Sequence, residues 1–133
     1  MAIYYSYMDN KSPKKNKLYK SFRYAFEGIF ATIFHERNMQ IHCLVAVLVV
    51  MFGIILKISL SEWFLCMLLF SIVLSLELVN TAIEAVVDLV TEEKRPLAKK
   101  AKDAAAGAVL VSAIFAAIMG GIIFFPKLWQ FLF

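Results

Sequence analysis

Three long apolar segments, separated by short charged ones, constrain the fold of this chain more than any other feature. They cover residues 41–56, 63–90 and 104–125. A helix needs about 20 residues to cross a bilayer, so the last two are long enough and the first is completed by the residues beside it. The chain is 62% hydrophobic, against roughly 45–50% in soluble domains. We therefore predict an all-α membrane protein with three transmembrane helices.

Basic residues occur mainly in two places, before the first apolar segment and in the loop between the second and third. Of the 14 Lys and Arg residues, only Lys57 and Lys127 lie elsewhere. Because cationic residues stay on the cytoplasmic side, we predict that the amino terminus and the loop over 91–102 are cytoplasmic, in a multi-pass protein of the plasma membrane. The adjoining apolar segments favour anionic lipid headgroups or an anionic substrate over nucleic acid as the partner.

The region before the first apolar segment has two parts. Residues 1–16 show no apolar period, and we interpret them as a mobile tail, with residues 17–133 as a single membrane domain. Between Leu18 and Phe34, apolar residues recur at helical spacing. This pattern predicts an amphipathic helix lying along the inner membrane surface.

The third apolar segment contains small residues at every fourth position. One ladder includes Ala116 and Gly120, and the other includes Ala113, Ala117 and Gly121. Such ladders let helix backbones approach closely. The spacing leaves open whether the neighbouring helix belongs to the same subunit.

A line of polar residues runs along the second apolar segment. Glu77, Asn80, Glu84 and Asp88 fall within an arc of about 80° on a helix of 100° per residue. A carboxylate at membrane depth costs about 2.5–3.5 kcal/mol on insertion scales, so it persists only beside a cavity, a metal or a partner. The alternative is a buried polar seam that only holds helices in register.

Antiparallel spans would bring this stripe to the same inner level as Glu36, which precedes the first span. Glu36 and Glu84 offer oxygen ligands only, without a cysteine or a convincing histidine pair. Such ligands suit Mg²⁺, which binds few carboxylates together with water and phosphate oxygens. We predict that Glu36 and Glu84 are the metal ligands.

The residues expected to act on a substrate that carries phosphate groups would lie at this same inner level. Lys94, Arg95 and Lys102 lie in or beside the cytoplasmic loop and suit phosphate groups. Glu77 lies about 10 Å deeper than Glu84, where a lipid hydroxyl would arrive, and is the candidate general base. The sequence contains no phosphate-binding Gly-Lys-Ser/Thr loop, protein-kinase catalytic loop or Ser-His-Asp set that topology would assemble.

Two segments resemble the signature blocks of the prokaryotic diacylglycerol kinase family of small integral membrane enzymes. They are residues 77–88, ELVNTAIEAVVD, and 101–108, AKDAAAGA. Residues 35–42, HERNMQIH, look most like the branch from Gram-positive bacteria, whose members favour undecaprenol. The resemblance covers residues 17–125. It implies a homotrimer of three-span subunits with active sites built between subunits.

The resemblance also implies roles for individual residues. Glu36 and Glu84 would bind the metal, and Glu77 would accept the proton. Lys20 and Asn80 would join Glu77 in contacting the lipid alcohol. The residues around ATP would include those just named as metal ligands and Lys17, Tyr24, Asn80, Glu93, Lys94, Arg95, Lys102 and Asp103.

These observations predict a membrane kinase that uses ATP and Mg²⁺ and transfers the γ-phosphoryl group to a lipid alcohol at the cytoplasmic face. Undecaprenol is the first candidate substrate and diacylglycerol the second. A transporter for cations or drugs, with Glu77 and Glu84 binding cations, is the alternative from another class. A non-enzymatic membrane assembly factor is the third hypothesis. Phosphorylation of a lipid in detergent, without any gradient, would distinguish the kinase from both.

Overall fold

A computed structural model describes residues 17–133, which form four α-helices. They are α1 (Lys17–His35), α2 (Arg37–Ile55), α3 (Leu60–Val90) and α4 (Pro96–Leu132). The last three are long and apolar enough to cross a membrane, which confirms the predicted fold class. The predicted tail at residues 1–16 lies outside the described residues.

Within the described part of the chain, residues up to Ala31 and residues from Thr32 onward belong to separate compact units. The first of these contains most of α1, on which Leu18, Phe22 and Phe26 are exposed. Arg23 and Glu27, one turn apart, form an ion pair with Nε and Oε1 3.2 Å apart. The amphipathic helix is therefore confirmed as a helix, whereas its position on a membrane surface stays a prediction. The single domain over 17–133 also stays a prediction.

A tight turn joins α2 to α3. Lys57 adopts a left-handed backbone conformation there, with φ of 50°, and Ser59 caps α3. The Ser59 hydroxyl accepts a hydrogen bond from the Glu62 amide, and the Glu62 carboxylate accepts one from the Ser59 amide. This reciprocal pair is a capping box, which satisfies two amides at the start of the helix.

Gly53 lets α2 and α3 approach closely beside this turn. A Cβ atom at Gly53 would lie 2.7 Å from Cη2 of the Trp63 ring. Only glycine fits this position without a shift of the indole. Nearby, Ile58, Cys66 and Ile123 form a buried apolar cluster, so this end of the bundle is held by packing of α3 against both neighbours.

Helices α3 and α4 are antiparallel and are tied by an ion pair at each end. Lys102 Nζ lies 2.6 Å from Asp88 Oδ1 at one end. Lys127 Nζ lies 3.3 Å from Glu62 Oε2 at the other. These pairs define the register between the two helices that carry the predicted site.

The helices extend beyond the apolar segments at several ends. The third span predicted at 104–125 lies within α4, which begins at Pro96 and continues to Leu132, so the loop predicted over 91–102 is helical from Pro96 onward. Proline is favourable at the first helical position, and the Lys99–Asp103 pair supports the following turn. Pro126 does not end the helix, which membrane helices tolerate. Hydropathy marks only the part of a helix that lies among hydrocarbon.

The spanning helices leave most of their apolar surface uncovered. Only 11%, 22% and 11% of their apolar windows are buried within one chain. A surface of this kind is stable when bilayer lipid or another subunit covers it. This agrees with a multi-pass membrane protein.

Candidate active site

The polar stripe predicted from the sequence lies along α3, and its burial decreases toward the end of the helix. Glu77 and Asn80 are only 2% and 4% exposed, Glu84 is half-buried and Asp88 is exposed. The Asn80 side-chain amide donates a hydrogen bond of 2.9 Å to Glu84 Oε1. Asn80 therefore orients the carboxylate that was predicted to bind a metal.

Glu77 lies against the beginning of α2. Its carboxylate lies near the Asn38 side chain and within electrostatic range of Glu36, His42 and Glu84. Glu77 is therefore within electrostatic range of both predicted metal ligands. Glu36 is the residue just before α2, in an extended conformation that aligns it with the first turn of that helix.

Two buried oxygen atoms of the stripe have no hydrogen-bond partner among the described residues. They are Oε2 of Glu77 and Oδ1 of Asn80. A buried polar atom without a partner costs about 1–3 kcal/mol. Unpaired acceptors of this kind are a reason to expect a hydroxyl, a cation or water at this position.

The donor set fits a magnesium ion that is completed by its substrate. Among the described residues, no three His, Cys, Asp or Glu side chains cluster as a metal-binding group. Magnesium, however, is typically held by one or two carboxylates together with water and phosphate oxygens. Glu36 and Glu84 meet that smaller requirement, and the Asn80 hydrogen bond is the kind of support that fixes a ligand's orientation.

An open cavity of about 670 Å³, lined mainly by charged residues, lies beside the loop between α3 and α4. Its lining includes all the loop residues predicted to surround the nucleotide, namely Glu93, Lys94, Arg95, Lys102 and Asp103, and it also includes Asp88. Thr91 Oγ1 accepts a hydrogen bond from the Glu93 amide, which holds the loop in a turn. The predicted phosphate-binding residues therefore surround one space next to the end of the stripe.

Most basic residues of this cavity already have acidic partners. Arg95 pairs with Glu93, with Nη2 and Oε2 3.0 Å apart, and Lys102 pairs with Asp88 at 2.6 Å. Lys94 takes part in none of the ion pairs between described residues. An incoming phosphate would therefore find Lys94 available, and it would compete with carboxylates for the other cations.

The remaining predicted residues lie on α1. Lys17, Lys20 and Tyr24 belong to the compact unit that precedes Thr32. The Arg23 guanidinium lies over the Tyr24 ring, 5.3 Å from its centroid. Their roles at the nucleotide and the lipid stay predictions.

Three residues that contribute to this geometry were not among the predicted site residues. Asn38 and His42 are neighbours of Glu77, and Asp88 is the partner of Lys102. Asn38 and His42 are four residues apart and share one helical face, as do Glu84 and Asp88. The spacing of Asn38 and His42 could have indicated that they face the same neighbour. The pairing of Asp88 with Lys102 could not have been predicted, because it depends on the register of α3 against α4.

Three membrane helices, a partly buried carboxylate stripe and a basic loop beside it are the features expected of an integral membrane phosphotransferase. Comparison with known proteins agrees. The model of the prokaryotic diacylglycerol kinase family matches residues 23–124, and the chain belongs to that family. It is therefore a lipid kinase that uses ATP, and the resemblance predicted from the sequence blocks is confirmed.

The similar proteins include kinases with two different names. The chain is 48% identical to undecaprenol kinase of Bacillus subtilis (strain 168) over 123 residues, covering 91% of this chain and all of that protein. It is 43% identical to a diacylglycerol kinase of Synechocystis sp., covering 81% of this chain and 62% of that protein. A diacylglycerol kinase of Helicobacter pylori (strain J99) is 33% identical, with 85% and 91% covered.

Proposed function

We propose that this chain transfers the γ-phosphoryl group of ATP to undecaprenol, forming undecaprenyl phosphate and ADP. The observation that carries the choice of lipid is the 48% identity to an undecaprenol kinase, which extends over the whole of that protein. The transfer chemistry is supported by the buried stripe and the adjoining basic cavity. The reaction needs little covalent chemistry from the protein, because positioning and charge neutralisation supply most of the catalysis.

Glu77 is the proposed general base. The lipid hydroxyl oxygen forms a bond to the γ-phosphorus while the bond from that phosphorus to the bridging oxygen of ADP breaks. The hydroxyl proton passes to the Glu77 carboxylate. The unpaired Oε2 atom of Glu77 supports this role, since a hydroxyl group could donate a hydrogen bond to it before transfer. Asn80 is the proposed lipid contact beside it, and Lys20 is a further proposed lipid contact.

Glu36 and Glu84 are the proposed ligands of Mg²⁺. When bound, the ion would neutralise charge on the phosphate oxygens. The two residues lie at the ends of different elements, Glu36 before α2 and Glu84 on α3. The hydrogen bond from Asn80 to Glu84 Oε1 keeps that carboxylate in a fixed orientation.

The cavity of the α3–α4 loop is the proposed nucleotide site. Lys94, Arg95 and Lys102 would contact phosphates. Glu93 would hold Arg95 in place through its ion pair, and Asp103 pairs with Lys99 beside them. Lys17 and Tyr24 of α1 are the further proposed nucleotide contacts. The ion pairs of Arg95 and Lys102 are largely exposed, so replacing their carboxylate partners by phosphate would cost little.

We further propose that the active form is a homotrimer in the plasma membrane, with active sites shared between subunits and open to the cytoplasm. The small-residue ladders of α4 and the uncovered apolar surface of the spans support association. The basic amino-terminal region and loop support a cytoplasmic site.

Diacylglycerol is the second candidate substrate. The observation that favours it is the likeness to diacylglycerol kinases of Synechocystis and Helicobacter pylori. The two candidates differ in the chain attached to the alcohol, whereas the reacting group is the same.

A direct competition between lipids tests the proposal. The purified protein in detergent micelles is given labelled ATP, Mg²⁺ and equal amounts of undecaprenol, diacylglycerol and ceramide. We expect most of the label in undecaprenyl phosphate. Preferential labelling of diacylglycerol would identify the second candidate as the substrate. The absence of any labelled lipid would refute both candidates.

A further inference from the structure

An apolar cavity of about 360 Å³ lies between α2, α3 and α4. Val45 and Val49 of α2, Phe70 and Val73 of α3 and Ala113 and Gly120 of α4 are among its lining residues. His42 is one of its few polar members. A space of this size and composition suits an apolar ligand rather than water.

The residues of α3 that line the cavity share one helix face with the proposed catalytic residue. Cys66, Phe70 and Val73 line the cavity, and Glu77 follows them at the same helical spacing of three or four residues. His42 both lines the cavity and lies within electrostatic range of Glu77. The apolar row and the carboxylate therefore form one path along that face of α3.

The register of α3 and α4 places the small residues along this path. Lys102 pairs with Asp88 and Lys127 with Glu62. In an antiparallel pair with this register, Ala113 is level with Glu77, and Gly120 is level with Phe70. Gly120 thus lies about 10 Å outward from Glu77, at 1.5 Å per residue.

We propose that this cavity binds the hydrocarbon chain of the lipid alcohol while its hydroxyl group contacts Glu77. The inference rests on the proposed function, which places the hydroxyl there. An isoprenoid chain carries methyl branches, and the small side chains of Ala113, Ala116 and Gly120 leave room for them on α4. The buried, unpaired Oε2 of Glu77 marks the polar end of the path, and the cavity extends away from it.

Two adjacent glycines provide a matched test. A Cβ at Gly120 or at Gly121 would meet no heavy atom within 4 Å, so neither site resists a larger side chain. Only Gly120 lines the cavity, and Gly121 is exposed. Gly120→Leu would obstruct the path, whereas Gly121→Leu adds the same side chain outside it.

The measurement is the phosphorylation rate of each variant relative to the parent for isoprenoid alcohols of increasing length, from geraniol to undecaprenol. For Gly120→Leu we expect little change with the shortest alcohol that the parent accepts. We expect a loss of about tenfold or more with undecaprenol, because the chain can no longer pass the leucine. Gly121→Leu changes the other ladder but not the cavity, so its rate relative to the parent should be the same for every alcohol.

Several results would overturn the proposal. Equal rates for the two variants on undecaprenol would show that no chain occupies the cavity. An equal loss on every alcohol, or an altered oligomeric state of Gly120→Leu alone, would identify the cavity as a packing surface between helices. If Gly120→Leu does not fold, Ala116→Leu blocks the same path. Its phosphorylation rate relative to the parent is then compared between short and long alcohols in the same way. A parent that phosphorylates no alcohol would instead refute the proposed function.

Discussion

Replacing Glu77 by glutamine removes the proposed proton acceptor and keeps the shape of the side chain. Glu77 is 2% exposed, so bulk water cannot readily replace it as the acceptor. A positioned general base contributes about 10²–10⁴-fold to a rate. We therefore expect Glu77→Gln to lower lipid phosphorylation by about that factor.

The structure also indicates that the variant should fold. The new amide group would add a buried donor, and an unpaired one costs about 1–3 kcal/mol. Loss of a carboxylate at membrane depth removes a cost of about 2.5–3.5 kcal/mol. Because these terms have similar sizes and opposite signs, we expect the free energy of unfolding to change little. Nucleotide binding should also persist, because the loop cavity does not include Glu77.

The assay compares ATP binding and undecaprenol phosphorylation on the same preparation of Glu77→Gln. Glu27→Gln is the matched control, because Glu27 forms only an exposed pair with Arg23 and such pairs contribute little. We expect Glu27→Gln to keep the parent rate. A Glu77→Gln rate close to that of the parent would show that Glu77 is a packing residue, and the general-base role would be lost.

Three further predictions concern the metal, the nucleotide and the packing of the bundle. Glu36→Gln and Glu84→Gln should each keep a folded oligomer yet nearly abolish Mg²⁺-dependent turnover; near-normal turnover in either variant would refute its role as a ligand. Lys102→Ala should raise the apparent KM for ATP or lower turnover without altering the lipid ranking, and a changed ranking at constant ATP dependence would contradict it. Gly53→Ala should destabilise by about 1–3 kcal/mol through overpacking against the indole 2.7 Å away; thermal unfolding in detergent measures this, with Gly121→Ala as the control.

The fold was largely predictable because membrane helices have a strong compositional signal. Apolar runs identified all three spans, and helical spacing identified α1. The ends of the helices were less predictable. Residues such as Pro96, Lys99 and Asp103 read as a charged loop, yet they form the first turns of α4. Their helical conformation comes from backbone hydrogen bonds and local ion pairs, which hydropathy does not record.

The site was predictable where its residues share one helix. Glu77, Asn80 and Glu84 follow the period of α3, and their cost at membrane depth indicated a function. The helical period of α3 does not predict which residues of other helices contact it. The approach of Asn38 to Glu77 depends on how α2 packs against α3, and the apolar cavity depends on the register of α3 against α4. Neither this contact nor the cavity could be predicted from the sequence alone.

The central claim is that this chain couples ATP consumption to phosphorylation of a membrane alcohol. The most direct measurement is the amount of ADP and of undecaprenyl phosphate formed by the purified protein in detergent with ATP, Mg²⁺ and undecaprenol. The account predicts that both products accumulate in equal amounts, and that omission of the lipid suppresses both. ADP release without undecaprenyl phosphate, or no consumption of ATP at all, would contradict it.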